Sequence, residues 1–267
     1  FLIWELTEKH PVVDLTLYQR RNFWAGSLAL SIAYGVFFGN VVLLPLWLQQ
    51  YMGYTATQAG MVLAPVGVMA LVLSPVVGKS IGKVDPRYFA TFAFLVFALV
   101  LWMRSHFNTQ ADIATIMIPT IIQGVAMAFF FIPLVTITWS GLPPERIPAA
   151  SGLSNFTRIT AGAVGTSVAT TLWESRAAMH HAPLLRSIPL GHQLASGALS
   201  GLASSGINAE QALAQVNRMV DQQAFMLAAN DIFYMSAALF LLLIPLIWMT
   251  QPPQTSMGNA DAAAGAH

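Results

Sequence analysis

From Phe23 to Leu48, Ala56 to Gly78, Tyr88 to Met103 and Ile113 to Trp139, the chain carries no formally charged residue. Such stretches limit the available folds, because about 20 consecutive apolar residues cross a hydrocarbon layer roughly 30 Å thick as a helix. Two further stretches, Ala149 to Trp173 and Met226 to Met249, hold one ionic residue each, Arg158 and Asp231. The pattern predicts an all-α membrane protein with six transmembrane helices. Composition agrees: 56% of the 267 residues are hydrophobic and 9% charged, against roughly 25% charged in a soluble domain. A net charge of +1 gives no reason to expect a nucleic-acid partner. Cysteine is absent, which removes disulfides, thiolate nucleophiles and cysteine-based metal sites.

Residues 1–22 read as the end of a preceding transmembrane helix and a link, 23–173 as five spans, 174–225 as a loop, 226–250 as the last span and 251–267 as a disordered tail. Phe1-Leu2-Ile3-Trp4 looks like the last turn of an apolar helix with no initiating methionine, so a missing N-terminal half is expected before it. Lys9, Arg20, Arg21, Lys79, Lys83, Arg87 and Arg146 fall in connections on one side. Arg104, Arg176, Arg186 and Arg218 fall on the other. The positive-inside rule puts the richer side in the cytoplasm, with the tail, and the segment Glu174 to Phe225 outside. In that segment Asn208 reads as an N-cap and Gln211 as its N3 partner. Leu213, Val216, Met219 and Val220 then repeat at helical spacing, predicting an amphipathic helix to Gln223.

The spans differ in character. Tyr88 to Met103 is bulky all round and reads as a peripheral, lipid-facing helix. Gly35, Gly39, Asn40 and Pro45 in the first span, Gly60, Pro65, Gly67, Ser74, Pro75 and Gly78 in the second, and Pro119, Gln123, Gly124 and Pro133 in the fourth point to protein packing or a cavity wall. In the fifth span Ala161, Gly165 and Ala169 form a small-residue ridge for close helix packing. Arg158 lies roughly 15 Å along that helix from Pro148, on the side of Asn155 and Ser151. Three readings stand for it: snorkelling to headgroups, a part in a gate or solute path, or a structural ion pair.

Three blocks carry a family resemblance: WELTEKHPVVDLTLYQRRNF, YMGYTATQAGMVLAPVGV and SGLPPERIPAASGLSNFTR. Together they resemble the fourteen-helix drug:proton antiporters of the major facilitator superfamily, in particular their EmrB-type subfamily. The resemblance implies the carboxyl-terminal six-helix bundle of a two-bundle transporter that works by alternating access. The first, second, fourth and fifth spans would then line the cavity, and the third and sixth would face lipid. Asn230, Asp231 and Pro245 fit that placement of the sixth less well. The implied function is proton-driven export of hydrophobic drugs across the bacterial inner membrane, as the transporter subunit of a tripartite efflux system. Its partners would be drug substrates, protons, lipids, a periplasmic membrane-fusion adaptor and an outer-membrane channel. A transporter for a different solute, such as a metabolite or sugar, is the alternative. No cofactor or metal is implied, and the reading is a secondary active transporter rather than an enzyme.

A drug cavity calls for aromatic faces, adaptable Met side chains and a few amides, so Tyr34, Phe37, Phe38, Asn40, Gln123, Met127 and Phe130 are the substrate-binding candidates. Asn155, Arg158 and Asp231 are the gating or coupling candidates, Asp231 being the only acid inside a predicted span. The main coupling carboxylates are expected in the missing half. The loop GKSIGKVDPR, similar to the family's glycine-and-basic loop but with Pro86 between Asp85 and Arg87, reads as a positive-inside anchor first and a latch second. Glu5, His10 and Asp14 read as linker residues, and the adjacent His180 and His181 as weak metal ligands. Gly152-Leu153-Ser154-Asn155 lacks the following glycine of a serine-hydrolase elbow, and no histidine lies in a predicted span, which argues against an intramembrane hydrolase.

Overall fold

The computed structural model describes residues 14–81, 83–187 and 209–252. Among these residues the chain forms helices and no strand. A 3-10 turn, Leu15–Gln19, precedes α1 (Arg21–Tyr51), α2 (Ala56–Ser80), α3 (Pro86–Arg104), α4 (Ile113–Ala128) and α5 (Phe131–Trp139). A second 3-10 turn, Pro144–Arg146, leads into α6 (Ile147–Ser187), and α7 spans Ala209–Trp248. Five stretches are long and apolar enough to cross a membrane: α1, α2, α3, α4 together with α5, and Ala214–Trp248 within α7. The protein is an all-α, multi-pass membrane protein. α6 has the length, but its serines, threonines, Asn155 and Arg158 keep it off that group.

Local chemistry sets the helix ends. Thr55 and Gln58 form a reciprocal capping box at α2, and Asp85 and Asp112 cap α3 and α4, each satisfying backbone N–H groups that a helix start leaves free. The fourth span is interrupted between α4 and α5. Pro133 has no N–H to offer the Phe129 carbonyl four residues back. The backbone tightens there into bonds from Phe129 to Ala126 and from Phe130 to Met127.

The bundle is organised around α1. Its Gly35 and Gly39 meet the Ala161, Gly165 and Ala169 ridge of α6 backbone to backbone: a Cβ on Gly165 would overlap the Gly35 carbonyl, and one on Gly39 would lie 2.8 Å from the Ala169 Cβ. Gly26 likewise admits Thr138 of α5, and Gly124 lets α4 close on the Pro65 and Val66 carbonyls of α2. A second layer of aromatic rings, Phe37, Phe94, Phe97, Phe130 and Phe240, fills the space between α1, α3, α5 and α7.

α3 and α7 run antiparallel. Tyr88 packs edge-on against Trp248 at one end, Phe97 stacks on Phe240 in the middle, and Asn230 donates to the Phe107 carbonyl beyond the other end. Trp102 and Tyr234 are exposed at that second end. The two aromatic levels lie roughly 21 Å apart at about 1.5 Å per residue, as suits rings seated at the two faces of a bilayer. The first end also gathers the inter-helix links: Arg20 donates to the Gly141 carbonyl, Asn22 to that of Gln251 and Arg87 to that of Thr250.

α3, read as a peripheral, lipid-facing helix, has two faces: its alanines and Phe94, Phe97 and Leu101 are buried, while Tyr88, Phe92, Leu95, Leu99 and Trp102 are exposed. Among the described spans α2 is the least covered. Around Gly60, Gly67 and Gly78 there is open space, which, of the two readings of the second span, fits a cavity wall and not close packing. The segment read as a loop from Glu174 is helical to Ser187, and the amphipathic helix is continuous with the last span, because no Gly or Pro separates Gln223 from Met226. Asn208 and the tail from residue 253 lie outside the described residues, as do Glu5 and His10.

Gly165→Ala should therefore lower the thermal stability of the purified full-length protein by an overpacking cost of about 1–3 kcal/mol. Gly152→Ala, with nothing within 4 Å of its would-be Cβ, should leave it unchanged or slightly raised in the same melting experiment.

Candidate functional site

The question posed by Arg158 has a local answer. On α6 its Nη2 donates to Asn155 Oδ1, one turn back, at 2.6 Å. The guanidinium carbon lies 4.9 Å from the Tyr34 ring centre and 5.5 Å from that of Phe131. Among the described residues no carboxylate pairs with it. Its Nε is buried without a hydrogen-bond partner. A planar cation over aromatic faces gains about 0.5–2 kcal/mol per good contact, more as water is removed.

The wall continues along α1 and α5. Tyr34 and Phe38 are in ring contact at 4.4 Å, and Tyr34 meets Phe131 edge-on at 5.8 Å. Gly162 makes room for both α1 rings: a Cβ there would come within 3.0 Å of Tyr34 and 3.9 Å of Phe38. The face thus combines three rings, one guanidinium and one exposed amide, Asn155.

The structure divides the substrate-binding candidates in two. Tyr34 and Phe38 belong to this wall. Phe37 and Phe130 point the other way into the aromatic core, and Met127 is half-buried against that core. Asn40 is buried, donating to the Val36 carbonyl at 2.7 Å and to Ser236 Oγ of α7 at 3.0 Å. Gln123 is turned toward α3, where its Oε1 accepts from Arg104 at 2.6 Å. Residues one or three apart on a helix diverge by about 100° or 60°, so one apolar span cannot present all of them to a cavity.

Phe131 and Gly162 were missed by sequence reasoning. Phe130 was grouped with Gln123 and Met127 of the fourth span, but next to the Pro133 break it is Phe131 that faces the wall. Pro133 was the available signal. Arg104 was also misread, as an external connection charge. It is 1% exposed, held by Gln123 and by Thr120 Oγ1 at 3.3 Å, with its Nε unpartnered.

Asp231 sits in mid-helix on α7, where Oδ2 accepts from Arg176 Nη1 at 3.2 Å and from His180 Nε2 at 2.8 Å. His181 turns instead to Asp221 at 3.1 Å, so the adjacent histidines serve two separate carboxylates. At the other end of the bundle Arg87 is chelated by Asp85 at 2.6 Å, donates to the Thr250 carbonyl and lies 5.2 Å from the Trp248 ring. Burial alone would raise the Asp85 carboxyl, but the Arg87 side-chain and backbone hydrogen bonds and its charge outweigh that and hold it below the ordinary carboxylate range. The glycine-and-basic loop thus ends in a clasp between α3 and α7.

Helices whose glycines meet along a central α1, one of them broken near a proline, form the frame of this wall. A family model described as Major Facilitator Superfamily matches residues 5–166, which include all the wall residues. The chain belongs to the Major Facilitator Superfamily. Within the superfamily it is 45% identical over 267 residues to Multidrug export protein EmrB of Escherichia coli (strain K12), covering 100% of this chain and 52% of that protein. It is 42% identical over 259 residues to Fatty acid resistance protein FarB of Neisseria gonorrhoeae, covering 97% of this chain and 51% of that protein. The similarity to EmrB-type members expected from the three sequence blocks therefore runs the length of the chain. The chain spans about half the length of the curated relatives it matches.

Because Arg104 is enclosed, Gln123→Leu should remove its strongest hydrogen bond and leave a charge buried with Thr120 alone. The expected loss is about 1.5–3 kcal/mol, read from thermal unfolding of the full-length protein, with Gln123→Glu retaining most of the stability.

Proposed function

We propose that the protein containing this chain exports hydrophobic drugs across the bacterial inner membrane, driven by proton entry, as the transporter subunit of a tripartite efflux system. The observation that carries this reading is the stack of Arg158 on Tyr34 and Phe131, continued by Phe38. Flat rings accept varied apolar bodies through area and dispersion, and a guanidinium that no carboxylate pairs among the described residues draws an anionic or strongly polar end. Amphipathic weak acids fit such a surface better than sugars, which need many convergent hydrogen-bonding groups. The names of the relatives, multidrug export and fatty acid resistance, support the same substrate class.

In this proposal a second bundle from the rest of the protein closes over the wall, and Asn155 and Arg158 act as its gate. Asp231 is the coupling candidate of this half, its carboxylate released when α6 and α7 separate Arg176 and His180 from it. α6 beyond Trp173 and α7 before Phe225 each continue for roughly 20 Å on the outer side. They carry the surface for a periplasmic membrane-fusion adaptor, which leads to an outer-membrane channel.

Proteoliposomes containing the complete protein, loaded with lipophilic weak acids or with polar metabolites, test the proposal with and without an imposed pH gradient. Lipophilic acids should accumulate only with the gradient. Transport indifferent to the gradient rules out antiport, and preference for polar metabolites selects the alternative solute class. Arg158→Lys keeps the charge but loses the planar stack, and should raise the apparent KM about fivefold with turnover little changed.

The adaptor surface has its own check. Arg218 and Met219 are exposed on α7, so replacing both with glutamate should abolish co-purification of the adaptor while membrane insertion continues. Undiminished co-purification excludes this face.

A further inference from the structure

At the outer end of the antiparallel α3 and α7, a cavity of about 370 Å³ opens between Trp102, Ser105, Arg176, Asn230, Asp231 and Tyr234. Its position is fixed by its surroundings. Toward the middle of the bundle, the same two helices expose Leu95, Leu99, Leu241 and Leu242, an apolar strip suited to acyl chains. Trp102 and Tyr234, 52% and 61% exposed, flank the cavity at the level where rings settle beside headgroups. In the other direction α6 and α7 continue into their polar extensions.

The lining has a distinct pattern of satisfied and unsatisfied atoms. Both hydrogen bonds to Asp231 fall on Oδ2, so Oδ1 accepts none among the described residues. Its neighbour Asn230 donates through Nδ2 to the Phe107 carbonyl, while its Oδ1 is buried without a partner. Of these two oxygens without donors, only Asp231 Oδ1, on a side chain 35% exposed, is open to a ligand. Arg176 uses Nη1 on Asp231, and its Nη2 has only the Met235 sulfur at 3.9 Å, a weak acceptor that a phosphate oxygen would displace. The Arg176 and Asp231 charges balance, so the lining suits a ligand that is itself both cationic and anionic.

We propose that this cavity binds the zwitterionic headgroup of an aminophospholipid. The ammonium donates to Asp231 Oδ1 beside the rims of Trp102 and Tyr234, and the phosphate meets Arg176. The acyl chains lie along the leucine strip of α3 and α7. A trimethylammonium headgroup has no N–H to give Asp231 Oδ1, and a glycerol headgroup has no cation, so the site discriminates among lipids of equal chain length. The inference requires the bundle to sit in a bilayer and does not rest on what the protein transports.

Native mass spectrometry of the delipidated full-length protein, titrated with dioleoyl phosphatidylethanolamine, phosphatidylcholine or phosphatidylglycerol, tests it. The ethanolamine lipid should be retained about tenfold better than the other two, the weight of one charge-assisted hydrogen bond. Asp231→Asn should erase the preference over phosphatidylcholine. In case that change loosens α6 from α7, Trp102→Leu on the exposed rim provides a second reading, in which ethanolamine-lipid retention falls several-fold with helix content unchanged. Equal retention of the three lipids by the unaltered protein overturns the proposal, as does a preference that survives Asp231→Asn in a folded protein. Displacement of the lipid by soluble phosphoethanolamine would assign the cavity to a free solute and would overturn it equally.

Discussion

Everything in this bundle is arranged around the approach of two peptide backbones, α1 at Gly35 and Gly39 and α6 at Gly165. Inside a bilayer no hydrophobic effect drives helices together, so association depends on how closely their surfaces fit and on the polar groups they exchange. A glycine contact supplies the closest fit available. It also places the chemistry: Tyr34 adjoins Gly35, and Arg158 lies two turns before Gly165, so the separation set by the glycines is also the separation at which guanidinium meets ring. The wall and its scaffold are one contact seen from two sides.

How much of this is written openly in the chain depends on the physics behind each feature. The spans were legible because hydrocarbon tolerates few charges, and the ridge at Ala161, Gly165 and Ala169 because helices repeat every three to four residues. Facing directions were less legible. Asn40 and Gln123 were assigned to a cavity on the argument that an amide needs a partner, which is sound, but the partners proved to be Ser236 and Arg104 inside the bundle. Which neighbour answers a buried amide is decided by tertiary packing, and packing has no signature in a single helix. Tyr34 and Phe38 met the same test with a different outcome, because Gly162 leaves a hollow opposite them.

The breaks and extensions teach a related lesson. Pro133 shifts the register of Phe131 through one missing N–H, a local cause with a local sign. The continuation of α6 to Ser187 and of α7 back to Ala209 has no such sign, since helix formers in a polar sequence serve equally in a loop or a helix. There the decision falls to pairing across the hairpin. Tyr51, Trp173 and Phe225 interlock at its base, and Gln222 donates to the Tyr51 carbonyl at 2.6 Å. Asp221 and Asp231, on either side of Phe225 along α7, each hold a histidine of the opposite helix.

The polarity of α6 has a consequence for how the chain is made. A helix carrying Arg158, Asn155 and a string of hydroxyls is a poor client for the insertion machinery, where a central arginine alone costs about 2.5–3.5 kcal/mol on the translocon scale. The groove that welcomes it, on α1, leaves the ribosome more than a hundred residues earlier. When α6 emerges, the groove on α1 and the three apolar stretches that follow it have already been made, so a template for this polar helix precedes it.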